Sequence, residues 1–347
     1  MNLPSRYQPT GKHFSGGQGV VLVWKDTSLG REVAVKMLAT RGIGGSLRKE
    51  AALLGTIKSK HVVELFEIGK DSVSGKDYMI MEYVAGADLT LYTPQDVREL
   101  LLTLFQIASG VTDIHAVNCV HRDLKPDNLK RDGADIIKII DFGIGGTNPV
   151  NTNLGRGTDG YRAPEYYSTP IRIDQAADVY SLGVIAHGFC FGTLHPALVQ
   201  IPPQLPPSLS TATICRSKLP NDVSLVLDRC LSATASARPR AAEVKAALAK
   251  HLLRNKHIAD FVHGGIMYSV SQSKPKYQIS ATKGTFEVTY SGVDFVLTSV
   301  SGEVYVNGIA ATPNMILPGS CVIGIGGGSA ADRAFIPFNV SHPEVIL

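Results

Sequence analysis

The chain is poor in everything that would mark a secreted, membrane-spanning or nucleic-acid-binding protein. Its five cysteines, Cys119, Cys190, Cys215, Cys230 and Cys321, lie far apart, contain no C-x-x-C pair and are odd in number. Neither a disulfide framework nor a cysteine zinc site is implied, and a reducing, cytoplasmic setting is expected. Long apolar runs are missing as well: one of the most hydrophobic stretches, residues 184–189, is broken by His187 and Gly188. Nothing reaches the length needed to cross a bilayer, and the polar N-terminus carries no signal-peptide core, so no membrane partner is expected. Charged residues make up only 18% of the chain, with a net charge of +4 and no basic cluster, which argues against a nucleic-acid partner. What is abundant is apolar surface: 44% of 347 residues, enough for a sizeable core and for two domains of unequal size.

The chemistry concentrates in His121-Arg122-Asp123-Leu124-Lys125-Pro126-Asp127-Asn128, followed after a short gap by Asp141-Phe142-Gly143. Asp123 can accept a proton from a hydroxyl, Lys125 can neutralise a phosphate, and Asn128 and Asp141 can hold a metal ion from two sides. Metal charge, an oriented nucleophile and little covalent chemistry are the requirements of phosphoryl transfer. These segments resemble the catalytic loop and the metal-binding loop of the protein-kinase family. The resemblance covers roughly residues 10–255. It implies an α+β, bilobal fold with a β-rich N-lobe (about 10–84) and a helical C-lobe (about 88–258), ATP and Mg2+ as cofactors, and protein substrates with Ser/Thr acceptors.

Toward the N-terminus, Phe14-Ser15-Gly16-Gly17-Gln18-Gly19-Val20-Val21 precedes an alternating apolar run, and glycines let backbone amides approach phosphate oxygens. Gly16 and Gly19 match the second and third glycines of the family's loop, Val21 the valine that packs on adenine, and Phe14 stands where the first glycine is expected. Val33-Ala34-Val35-Lys36 resembles V-A-I-K, which makes Ala34 part of the adenine pocket and Lys36 the cation on the α- and β-phosphates. Residues 46–57 have helical spacing, and Glu50 falls where an acid would pair with Lys36. Residues 42–45 read as a flexible entry to that helix. Residues 78–86 resemble the hinge between lobes, with Met81 at the back of the adenine pocket, backbone groups of Glu82 and Val84 on its edge, and Asp88 near the ribose.

Beyond the hinge, Thr93 followed by Pro94 and Asp96 reads as an N-cap opening a long helix, with apolar residues at helical spacing to Ile114. By resemblance, His121 is a packed support that stacks with Leu54, Leu65 and Phe142. Arg122 is the guanidinium that docks a phosphorylated activation loop. Lys130 replaces the apolar residue expected on the adenine floor, where its aliphatic stem would serve instead. The turn-rich segment from Asp141 to Glu165 contains Thr152, the leading regulatory phosphosite, and Thr158, expected beside Asp123 and Lys125. Thr158 and Lys125 favour a Ser/Thr kinase over a tyrosine kinase. Asp178 is expected to hold the catalytic-loop backbone, and Arg238 to pair with Glu165.

After His257 the pattern turns to short β runs, at residues 285–290, 294–298 and 304–307. With the kinase domain assigned to 1–258, residues 259–347 form a small all-β sandwich whose later strands resemble a forkhead-associated domain. Such domains read phosphothreonine through an early arginine and a serine-histidine pair; neither is in register here, and Asn307 is the surviving candidate contact. The tail therefore reads either as a phosphoprotein-docking or autoregulatory module or as a small β domain of another role. Two alternatives stay open for the whole: a pseudokinase scaffold, supported by Phe14 and Lys130, and a small-molecule kinase, opposed by Lys125-Pro126 and Ala163-Pro164-Glu165.

Overall fold

A computed structural model describes residues 3–16, 19–37, 47–142, 146–147, 150–152, 157–214, 216–327, 333–341 and 343–345. The expected flexible entry at 42–45, Gly143 and Cys215 lie outside the described residues. The chain divides into two compact units, one running to Leu248 and the other from Ala249 onward.

In the first unit, β1 (Tyr7–Gly16), β2 (Gly19–Asp26), β3 (Arg31–Met37), α1 (Leu47–Thr56), β4 (Leu65–Lys70) and β5 (Asp77–Glu82) come first. The strands form one antiparallel sheet in the order β1-β2-β3-β5-β4. Side chains alternate across a strand, so β3 sends Val33 and Val35 to a buried cluster with Tyr7, Trp24, Tyr78 and Ile80. Ala34 and Lys36 point to the opposite face. The pairs Phe14↔Val21, Val21↔Lys36 and Ala34↔Met81 put Phe14, Val21 and Met81 on that same face. In α1, Leu47, Ala51 and Leu54 form the buried stripe, and Glu50 falls within it.

The helix α2 (Val97–Ala116) starts later than the sequence pattern suggests. Its cap is Asp96, not Thr93: the Asp96 carboxylate accepts from the Glu99 N–H at 2.7 Å, while Glu99 reaches back to the Gln95 N–H at 2.8 Å. A carboxylate at this point also meets the positive end of the helix dipole, an advantage a hydroxyl lacks. Next come β6 (Cys119–Val120), a single 3-10 turn at Pro126–Asn128, and the hairpin of β7 (Leu129–Arg131) and β8 (Ile137–Ile139). The strand β9 (Gly146–Thr147) pairs with β6, and β10 (Val150–Thr152) with β11 (Ile171–Ile173). The helix α3 (Gln175–Phe191) is capped by Asp174, ends at a left-handed Gly192 and is buried along most of its length. A small hairpin, β12 (Thr213–Ile214) with β13 (Ser217–Lys218), precedes α4 (Asn221–Cys230) and α5 (Ala241–Leu252). Among the described residues no helix is long and apolar enough to cross a membrane. The thiols of Cys190 and Cys230 are buried, which pushes each up to about 12, as expected of packing groups rather than reactive ones.

The second unit begins within α5, and inside it Lys250 and Asp294 form an ion pair at 3.1 Å. It contains β14 (Ala259–His263), β15 (Ile266–Val270), β16 (Lys276–Ala281), β17 (Gly284–Tyr290), β18 (Phe295–Gly302), β19 (Val304–Val306), β20 (Ile309–Ala310), β21 (Met315–Ile316), β22 (Ser320–Ile325) and β23 (Ala334–Val340). Two sheets result, β15-β14-β23-β22-β19-β20 and β16-β17-β18-β21. Strict alternation along β17 sends Phe286 and Val288 inward, where they share one apolar cluster with Phe261, Leu297, Ile323 and Phe338 from both sheets. Asn307 and Gly308 both take positive φ and make the tight turn from β19 to β20.

The first unit places one ion pair deep in its helical part: Arg238 meets Glu165 through two parallel bonds of 2.8 Å each, with the arginine side chain wholly buried. Removing one partner of such a pair leaves a buried charge alone. Arg238→Ala is expected to lower unfolding free energy by about 3–5 kcal/mol, read from urea midpoints; a loss under about 1 kcal/mol, the worth of an exposed pair, would contradict this.

Candidate active site

The loop between β6 and β7 is held from beneath by one buried carboxylate. Asp178, in the first turn of α3, is fully buried and accepts from the backbone N–H of Arg122 and of His121 at 2.8 Å each. His115 Nε2 reaches the same carboxylate at 2.9 Å. Burial alone would raise the Asp178 pKa, but the hydrogen bond and charge of His115, with His121 and the Arg122 amide behind it, outweigh burial and hold it below the ordinary value. These bonds stabilise a left-handed turn at Arg122, with φ of 69°, that a side chain would otherwise avoid.

His121 is fully buried and serves as a strut. Its Nε2 donates to the Ile140 carbonyl at 3.1 Å, so its Nδ1 is the acceptor that meets the Asp123 N–H at 3.3 Å. Its ring sits edge-on to Phe142 at 4.8 Å. Phe142 and Leu54 are buried and Leu65 is half-buried.

Above this support the reactive groups converge. Thr158 donates to Asp123 Oδ1 at 2.8 Å and accepts from Lys125 Nζ at 2.7 Å, while Lys125 lies 3.5 Å from Asp123 Oδ2. Asn128 donates from Nδ2 to the Asp123 carbonyl at 2.8 Å and to Asp123 Oδ2 at 3.3 Å. Its amide oxygen is therefore the atom turned to other partners. Asp141 adopts φ of 66° and accepts on Oδ1 from Lys36 Nζ at 2.7 Å. Lys36 also meets Glu50 Oε1 at 2.8 Å. Burial works against the Lys36 ammonium, but the two carboxylates outweigh it and hold its pKa above the ordinary lysine value. Burial raises the pKa of Glu50, and the bond and charge of Lys36 offset this only in part.

A hard cation with oxygen ligands suits what this geometry offers, one carboxylate oxygen of Asp141 and the amide oxygen of Asn128, with remaining positions left to phosphate and water. Among the described residues no group of three His, Cys, Asp or Glu side chains forms a protein-only metal cage.

Of the remaining expected groups, Val21, Ala34 and Met81 share the sheet face that carries Lys36. Val21 is half-buried, and Ala34, Met81 and Val84 are buried. Glu82 donates its N–H to the Glu64 carbonyl at 2.8 Å and pairs its carboxylate with Lys138 at 2.8 Å. Asp88 is exposed and accepts from the Thr90 N–H at 3.0 Å; the Thr90 hydroxyl above all, with this amide behind it, outweighs desolvation and holds its carboxyl below the usual range. Gly16 and Gly19 close the β1–β2 hairpin, and Thr152 pairs through its backbone with Ile171. The floor differs from the expectation of an aliphatic stem alone: the Lys130 ammonium reaches the carbonyls of Gly86 at 3.2 Å and Val84 at 3.5 Å. Asn307, in the second unit, accepts on its side-chain oxygen from the Val322 N–H of β22 at 2.9 Å.

Sequence reasoning missed His115 and Gly86. A histidine in the last turn of α2, one helical turn and a half before His121, was the available signal for the first. Gly86 had none: a Cβ there would sit 1.4 Å from the Arg131 carbonyl, a clash set by tertiary approach.

Comparison with known proteins agrees with this arrangement. A family model described as protein kinase domain matches residues 10–248. The serine/threonine-protein kinase Pkn1 of Myxococcus xanthus is 34% identical over 195 residues, 52% of this chain and 28% of that protein. The serine/threonine-protein kinase PrkC of Bacillus subtilis is 30% identical over 196 residues, covering 53% and 30%. The serine/threonine-protein kinase pkn2 of Myxococcus xanthus is 29% identical over 265 residues, covering 69% and 31%. The chain thus spans less than a third of the length of these relatives.

A carboxylate whose folded pKa is depressed stabilises above its unfolded pKa, and that contribution is lost as pH falls through the folded value. For Asp178 the window lies below about pH 4. Asp178→Asn is expected to cost roughly 3 kcal/mol at neutral pH, from weakened charge-assisted bonds, and to flatten the acid limb of a plot of urea midpoint against pH. An acid limb as steep as that of the unaltered protein would contradict the assignment.

Proposed function

The chain belongs to the protein kinase family, and we propose that it transfers the γ-phosphate of ATP to serine and threonine hydroxyls of proteins, its own included. The observation that carries this reading is the Lys36 ammonium bonded to both Glu50 and Asp141, on the same cleft as the Asp123–Thr158–Lys125 cluster. Asp123 orients the acceptor hydroxyl and takes its proton. Lys125 meets the charge on the transferring group, and Lys36, steadied by Glu50, positions the α- and β-phosphates. Asp141 and Asn128 would hold Mg2+, which when bound spreads the phosphate charge. Met81, Ala34, Val21 and the carbonyl of Glu82 would line the base, with Gly16 and Gly19 above the phosphates and Asp88 toward the ribose.

In this reading Thr152 is the regulatory phosphosite and Arg122 the group that docks it. Thr158 favours hydroxyl acceptors of the Ser/Thr kind, the residue types in the names of the relatives above. Residues 1–258 would be the kinase domain, acting in the cytoplasm, and 259–347 a docking or autoregulatory β domain with a forkhead-associated likeness. The strand alternation and shared core of the second unit support an independent β module. Asn307, whose side-chain oxygen is engaged by the Val322 N–H, does not favour phosphothreonine reading. A scaffold reading has one observation in its favour, the Lys130 side chain lying across the base floor.

Asp123→Asn is expected to lower kcat by about 10²- to 10⁴-fold, the usual share of a general base. Lys36→Met is expected to abolish detectable transfer of labelled γ-phosphate to a generic protein substrate or to the chain itself. Transfer at the unaltered rate in either variant would remove the assigned role, and nucleotide binding without any turnover in the unaltered chain would favour the scaffold.

A further inference from the structure

A contact crosses the outer end of the cleft. Phe14 descends from β1 and Lys130 rises from β7. The Lys130 Nζ lies 5.4 Å from the centroid of the Phe14 ring, inside the range of about 6 Å over which a cation is attracted to an aromatic face. The ring also stacks on Tyr83 of the hinge, with centroids 6.2 Å apart and planes inclined by 27°. From below, the ammonium is tethered to the carbonyls of Gly86 and Val84 at 3.2 and 3.5 Å. The backbone under it is fixed as well: Lys130 bridges to Asp88, the Arg131 N–H donates to the Ala87 carbonyl at 3.2 Å, and Gly86 leaves no space for a Cβ against Arg131. Phe14 is thus the roof and Lys130 the floor of one slot, on the face that also carries Val21, Ala34 and Met81.

A flat base needs about 3.5 Å to the atoms above it and as much to those below, roughly 7 Å in all. The 5.4 Å gap between ring and ammonium is too narrow. The contact and a bound base therefore exclude each other. We propose that Phe14 and Lys130 form a latch across the base subsite, which a purine nucleotide must part in order to bind. The inference rests on the reading of the cleft as a nucleotide site and adds to it a determinant of nucleotide affinity. Closed molecules compete with the ligand, so the apparent affinity falls by the fraction that is open. Phe14 is 48% exposed, so its attraction to the ammonium is of the modest, solvated kind and lowers nucleotide affinity without abolishing binding.

The test is a calorimetric titration of the full chain with MgADP. Lys130→Met keeps the aliphatic stem and removes the ammonium; Phe14→Leu keeps an apolar group and removes the ring, at a half-exposed strand position that tolerates the change. Each is expected to bind MgADP roughly 2- to 5-fold more tightly. The double variant is expected to gain no more than either alone, because both remove one contact. Lys130→Arg, which keeps the cation, is expected to stay within about twofold of the unaltered chain. A double-mutant cycle on thermal midpoints without nucleotide is expected to show the same Phe14–Lys130 coupling. If the unaltered chain binds MgADP and the single variants bind it equally or more weakly, the latch is overturned and the nucleotide reading stands. If neither the unaltered chain nor any variant binds MgADP, the functional reading fails and the latch with it.

Discussion

A buried ammonium has to be shared out among acids, and the architecture of the first unit follows from how Lys36 is shared. Lys36 is only 6% exposed, on a strand where the residues just before it, Val33, Ala34 and Val35, are buried and apolar. Left alone there it would lose its proton. One bond goes to Glu50, which requires α1 to lay its Leu47–Ala51–Leu54 stripe against the sheet. The other goes to Asp141, which requires the segment after β8 to turn through a left-handed residue and present its carboxylate upward. Sheet, helix and loop are thus tied at one nitrogen. The same nitrogen is the group a phosphate chain would claim, so the tie that builds the cleft also marks its chemical centre.

The lower half of the site obeys the same rule with the sign reversed. Asp178 is a buried carboxylate that hydrogen-bond donors must surround, and the donors are the backbone of the loop that carries Asp123. The loop's unusual turn is therefore secured by α3 rather than by its own residues. Arg238 and Glu165 repeat the pattern further down. Each buried charge is held by a partner distant in sequence, and together they leave Asp123, Lys125, Thr158 and Asn128 a rigid base from which to converge.

Much of this was readable in the chain because the motif residues do their work locally. Asp123, Lys125 and Asn128 sit on one loop, and Lys36 and Glu50 follow in the order that puts a strand beside a helix. What escaped were facts set by close approach between distant segments. The cap of α2 moved to Asp96 because charge at a helix start outweighs a Thr-Pro pattern. The need for glycine at 86 appears only when the hinge meets Arg131. The destination of the Lys130 ammonium could not be read from a residue type that normally points to water. In the second unit, alternation announced strands, but the strand order of its two sheets is a matter of long-range pairing that no local pattern encodes. That the Asn307 side chain reaches across to the Val322 N–H of β22 is likewise a long-range fact, outside what its own Asn-Gly turn signals.

The central claim is that Lys36, Asp141 and Asn128 surround one phosphate–metal site. Crystals grown with a non-hydrolysable ATP analogue and Mn2+, which reports its position by anomalous scattering, test it directly. A manganese peak is expected about 2.0–2.3 Å from a carboxylate oxygen of Asp141 and from the amide oxygen of Asn128, with Lys36 Nζ on a phosphate oxygen and its bond to Glu50 kept. Manganese bound away from both residues, or an analogue that leaves Lys36 untouched, would contradict it.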